Sequence, residues 1–191
     1  MKSRLAVYVL AAIAALIAAG AASAHAHVSP PVAPAKEGQV YTLAVPTEKE
    51  NSETTKIELT VPTGFGIDSF VPSPGWQRTV QSSGSGDSAV INKVTWSGGK
   101  APTGEDAAFS FLATPTSSTT YTFQVRQTYS DGSVVDWSGP ESSDTPAPTV
   151  RAKSSLGGGS SALALIAVVV GAVGVLLGAV ALLSGGRRAL A

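Results

Sequence analysis

The chain has 191 residues, no cysteine, one methionine and two histidines, and its formal net charge is zero. Without sulfur beyond Met1 it can form no disulfide, no thiolate centre and no Met-rich Cu(I) site, and blue-copper electron transfer is excluded with them. Between residues 27 and 150, thirteen acidic side chains stand against seven basic ones, leaving that segment at about −6 and arguing against nucleic acid as a partner.

In chain order, the first element is a leader. Lys2 and Arg4 precede an apolar run from Leu5 to about Gly20, followed by small residues. Ala22-Ser23-Ala24 and Ala24-His25-Ala26 both satisfy the small-x-small rule for signal peptidase. The expectation is a signal peptide over 1–26, with His27 as the first residue of the mature chain. Cleavage after Ala24 is the alternative and would leave His25-Ala26-His27 at the terminus.

Residues 27–150 read as an all-β exported domain. Val40 to Val45, Lys56 to Val61, Val90 to Trp96, Ala107 to Ala113 and Tyr121 to Tyr129 are short runs of strand character, several alternating polar and apolar. Asp131-Gly132 before Ser133 to Trp137 is a hairpin signal. Pro62-Thr63-Gly64, Pro72 to Gly75, Ser83 to Gly86 and Gly98-Gly99 punctuate the rest. Many short strands between turns predict an antiparallel β-sandwich. About 120 residues suffice for a core that needs no disulfide.

Residues 151–161, with Gly157-Gly158-Gly159, read as a flexible linker. Residues 162–184 form an uncharged apolar stretch long enough for one transmembrane helix. Arg187 and Arg188, within a tail over 185–191, assign that end to the cytoplasm and the domain to the extracytoplasmic side of the cell membrane. Gly174 and Gly178 form a GxxxG spacing of low specificity.

A histidine at the mature terminus offers an α-amine and imidazole Nδ1 that close a chelate ring on one metal ion. Nitrogen with carboxylate oxygen suits Cu(II) in a tetragonal field. Pro30 and Pro31 stiffen the chain just behind. With His25 first, histidine stands third, the spacing at which an amine, two deprotonated amides and an imidazole make a square-planar Cu(II) or Ni(II) site.

His27-Val28 after a leader, Val45-Pro46-Thr47-Glu48-Lys49, Pro74-Gly75-Trp76 and Tyr129-Ser130-Asp131-Gly132-Ser133-Val134-Val135-Asp136-Trp137-Ser138-Gly139 resemble the YcnI-type copper-binding domain. The resemblance implies a β-sandwich that holds Cu(II) through a mono-histidine brace. It carries the brace histidine to His27, the glutamate to Glu48 and the neighbouring tryptophan to Trp137, with Glu50 and Glu53 as alternatives to Glu48. Trp76 and Trp96 read as structural.

With His27 first no interior histidine remains, so neither a nucleophile–histidine pair nor a three-nitrogen oxidative copper site can be assembled, and the chain reads as a non-enzyme. The expected role is copper homeostasis or delivery, with another envelope copper protein as recipient. The competing reading is a surface interaction or adhesion domain in which the metal plays no part.

Overall fold

The computed structural model describes residues 25–86, 89–157 and 162–185. The leader through residue 24, linker residues 158–161 and the tail from 186, with Arg187 and Arg188, lie outside the described residues. The chain divides into two units between Ser155 and Leu156.

The first unit is β throughout. β1 (His27–Ser29), β3 (Gln39–Pro46), β8 (Asp106–Pro115) and β5 (Phe65–Phe70) form one sheet in the order β1-β3-β8-β5. β11 (Val134–Trp137), β10 (Gln124–Tyr129), β4 (Thr54–Thr60), β7 (Val90–Ala101) and β6 (Gln77–Ser83) form a second, in that order. A short third sheet joins β2 (Val32–Pro34), β12 (Thr149–Lys153) and β9 (Thr120–Thr122). Every pairing between named strands is antiparallel except β2 with β12.

Period-2 alternation sends Tyr41, Leu43 and Val45 of β3, Ile57 and Leu59 of β4, and Phe109 and Phe111 of β8 into the space between the sheets, where each is essentially unexposed. Trp96 of β7 stacks on Phe109 of β8 with ring centroids 4.3 Å apart and planes 15° from parallel, one sheet against the other. Trp76 meets the same Phe109 edge-on at 5.0 Å. Each large side chain removed from water in this way stabilises the sandwich by about 1.5–3 kcal/mol. Trp76 and Trp96 are thus packing residues.

Three local expectations change. Gly98-Gly99, read as a turn, lies inside β7, where Gly98 takes φ +79° and the register with β4 shifts between Thr54 and Lys56. The Tyr121 to Tyr129 run is two strands, because Phe123, fully buried, donates its N–H to Pro148 O at 2.9 Å and marks the change of sheet. β12 extends to Lys153 with Ala152 buried, so ordered structure continues past the linker boundary expected at 151.

In the second unit, α1 (Ala162–Gly185) contains an uncharged span from Ala162 to Ser184 of mean hydropathy 2.8. Its 23 residues rise about 35 Å at ~1.5 Å each, long and apolar enough to cross a membrane.

Candidate metal centre

The histidines sit on an edge. β1 borders its sheet, and from residue 25 to 28 exposure alternates, with His25 and His27 outward and Ala26 and Val28 buried. Ala26 is 3% exposed and belongs to the hydrophobic core. β1 pairs with β3 in the register His27↔Ala44 and Ser29↔Thr42. Continued two residues back, the same register carries His25 toward Pro46, the last residue of β3. The two histidines share a cavity of about 660 Å³, together with Thr120, Pro140, Glu141 and Arg151.

Glu48 lies just beyond the end of β3, exposed, in the loop leading to β4. That loop is pinned at several points. Thr47 is buried; its N–H donates to Glu105 O at 3.0 Å, its carbonyl accepts from Gly104 N at 2.9 Å, and its Oγ1 pairs with Thr54 Oγ1 at 2.7 Å. Lys49 donates through Nζ to Asp131 and, at 2.8 Å, to Ser133 Oγ, fastening the loop to the β10–β11 hairpin. Tyr129 of β10 reaches the backbone of Glu48 and Lys49; burial, reinforced by the Glu48 charge, pushes its phenol above the ordinary range. Lys49, followed by Ser133, holds the Asp131 carboxyl well below the usual carboxylate range.

Glu48 and its alternative Glu50 are both loop residues, so no strand face is shared between them. Glu50 and Glu53 line a separate hollow of about 470 Å³, and Glu53 is paired with Lys100 at 2.9 Å. Among the described residues, no three His, Asp or Glu side chains converge on a point that could hold a metal.

Trp137, 2% exposed at the end of β11, points inward, and its indole Nε1–H donates to Gln127 Oε1 at 2.9 Å. Gln127 is fully buried, and its Nε2 donates to Pro46 O at 2.9 Å and to Thr54 Oγ1 at 2.7 Å. Gln127, which the sequence reading missed, therefore ties the Trp137 ring to the end of β3 from which Glu48 projects. Its signal was its phase, since Val125, Gln127 and Tyr129 fall on one face of an alternating strand and all three are buried. The structure thus brings Glu48 and Trp137 to one end of β3 through β10. Ala44, the register partner of His27, precedes Glu48 by four residues, about 13 Å if extended.

The fold and this corner define a class: an immunoglobulin-like β-sandwich with two outward histidines on an edge strand beside a pinned acidic loop. Residues 25–152 match the family described as "Domain of unknown function (DUF1775)". The chain belongs to that family, which is the YcnI-type copper-binding family its motifs resemble. The copper-binding protein CutI of Bacillus subtilis (strain 168) is 33% identical over 180 residues, 84% of this chain and 86% of CutI. The crystal structure of an uncharacterized protein from Nocardia farcinica, described as an immunoglobulin-like fold, is 30% identical with a TM-score of 0.57, covering 67% of this chain and 97% of that one.

Proposed function

We propose that this protein binds Cu(II) on the outer side of a membrane to which α1 anchors it, in copper homeostasis or delivery to another envelope copper protein. The observation that carries the metal is the 33% identity to a copper-binding protein over 84% of the chain. The donor set agrees with it, because imidazole, amine and carboxylate are the groups Cu(II) prefers when no sulfur is offered.

The grip we assign is the α-amine and Nδ1 of the first residue, closed by the Glu48 carboxylate, with the Trp137 ring as the inner wall. Because the Trp137 N–H is already bonded to Gln127, the indole contributes shape and a low-dielectric flank, not a ligand. We take His27 as the first residue, with a terminus at His25 as the alternative. What speaks for the alternative is that Ala26 is a core residue. The β1–β3 register, continued, also carries His25 nearer than His27 to the Pro46–Glu48 end of β3.

Intact mass of the chain after export tests the terminus, and the expected product begins at His27; a product beginning at His25 moves the brace to that residue. Equilibrium titration with Cu(II) tests the ligands. Glu48→Gln is expected to weaken binding at least about tenfold, equivalent to about 1.4 kcal/mol. The quench of tryptophan fluorescence by Cu(II) is expected to shrink in Trp137→Phe. Unchanged affinity in both His27→Ala and Glu48→Gln would reject the assignment.

A further inference from the structure

Glu48 projects from a backbone that is fixed on both sides. Before it, Thr47 is buried and bonded to Glu105, Gly104 and Thr54. After it, the Lys49 carbonyl accepts from Thr103 Oγ1 at 2.7 Å, and the Lys49 ammonium crosses to the β10–β11 hairpin. There Nζ donates to Asp131 Oδ2 and, at 2.8 Å, to Ser133 Oγ, standing 5.8 Å from the centre of the Tyr129 ring.

The hairpin is shaped to receive that ammonium. Gly132 takes φ +81°, which glycine adopts without strain, and its N–H donates to Tyr129 O at 3.0 Å to close the turn. Ser133 donates twice to Asp131 Oδ1, from its N–H at 3.0 Å and its hydroxyl at 2.7 Å, leaving Oδ2 to the lysine. Asp131 is therefore oriented by its own turn and not by Lys49 alone. Two ordinary roles for the pair fall short. With side chains 41% and 46% exposed, it adds little to global stability. An ammonium one residue from a metal ligand also has the wrong sign to attract a cation. What remains is orientation, since Lys49 ties the Glu48 loop to the Trp137 hairpin on the outside as Gln127 does within.

We infer that Lys49 is a positioning residue for copper: clamped to Asp131 and Ser133, it holds the loop so that the Glu48 carboxylate stands ready at the metal beside Trp137. This rests on the reading of Glu48 as a ligand given above. It gives the Lys49 and Asp131-Gly132-Ser133 segments one joint purpose, although neither supplies a donor to the ion.

The test uses the full-length chain, processed from its leader and purified in detergent, with Cu(II) affinity and electron paramagnetic resonance read together. Lys49→Gln is expected to weaken Cu(II) binding about tenfold, the lower end for losing a partner that orients a ligand, and to alter the copper spectrum. Removing a positive charge acts the other way through Coulomb's law, so the sign of the change separates orientation from charge. Lys49→Arg, which can still reach the Asp131 carboxylate, is expected to restore affinity and spectrum. Ser133→Ala changes no charge, loosens both partners of the clamp and is expected to shift both readouts in the same direction as Lys49→Gln. It decides the matter if Lys49→Gln lowers the urea midpoint of the metal-free chain. Wild-type or tighter binding with a wild-type spectrum in the deciding variant, while Glu48→Gln weakens binding, overturns the inference and leaves the Glu48 reading standing. Glu48→Gln with wild-type affinity and spectrum overturns that reading, and the inference with it.

Discussion

Gln127 shows how much one buried amide can govern. It fills three hydrogen bonds at once, to Trp137, Pro46 and Thr54, with no exposure to water. Gln127→Leu keeps the bulk but leaves the indole N–H and the Pro46 carbonyl without this partner. The expected loss is about 1–3 kcal/mol for such stranded groups, measured by urea unfolding, with Cu(II) quenching of Trp137 reduced in parallel. Asp131 makes a different prediction. Its carboxyl is depressed in the folded state by Lys49 first and Ser133 second, so folding favours the ionised form. Its contribution is present above the ordinary carboxylate pKa of about 4 and is lost as pH falls through the depressed folded value. The stability gap between wild type and Asp131→Asn should therefore be small and salt-sensitive near neutrality, because the pair is exposed, and should close in acid. At this scale Glu48 and Trp137 are proposed site residues singled out by their motifs. Gln127 was overlooked because a glutamine between Arg126 and Thr128 looks solvated until its phase is followed.

Among the elements, the long alternating strands β3, β4, β8 and β10 were legible because one face is buried and the other wet. β6 was not: all seven residues are exposed, so it joins β7 by backbone pairing at a sheet edge without an apolar rhythm to announce it. β1, β2 and β12 are short, and β2 pairs with β12 across most of the domain's length, which no local pattern encodes. The glycine pair in β7 misled for a physical reason. Glycine there makes room, because a Cβ on Gly99 would stand 2.3 Å from the Trp76 ring. Gly99→Ala must push that ring off Phe109, at an expected cost of about 1–3 kcal/mol. A double-mutant cycle with Trp76→Leu checks the cause, since most of the penalty should vanish when the ring is gone.

On the scale of the whole chain, a β domain and an apolar helix were readable from composition and hydropathy, whereas the corner joining Glu48, Gln127 and Trp137 required the sheet order. The proposed anchor predicts that a chain ending at Ser155 stays in the soluble fraction, while the full chain pellets with membranes and resists carbonate extraction. Where that chain is ended matters. β12 lies parallel to β2, with Arg151 N–H donating to Pro31 O and Ala35 N–H to Lys153 O, each at 2.8 Å. The last strand of the domain thus stitches down the segment immediately behind the histidines. A secreted reagent trimmed at residue 150 would keep every proposed ligand yet let its own front end fray, and a poor copper titration from it would report the tailoring and not the protein.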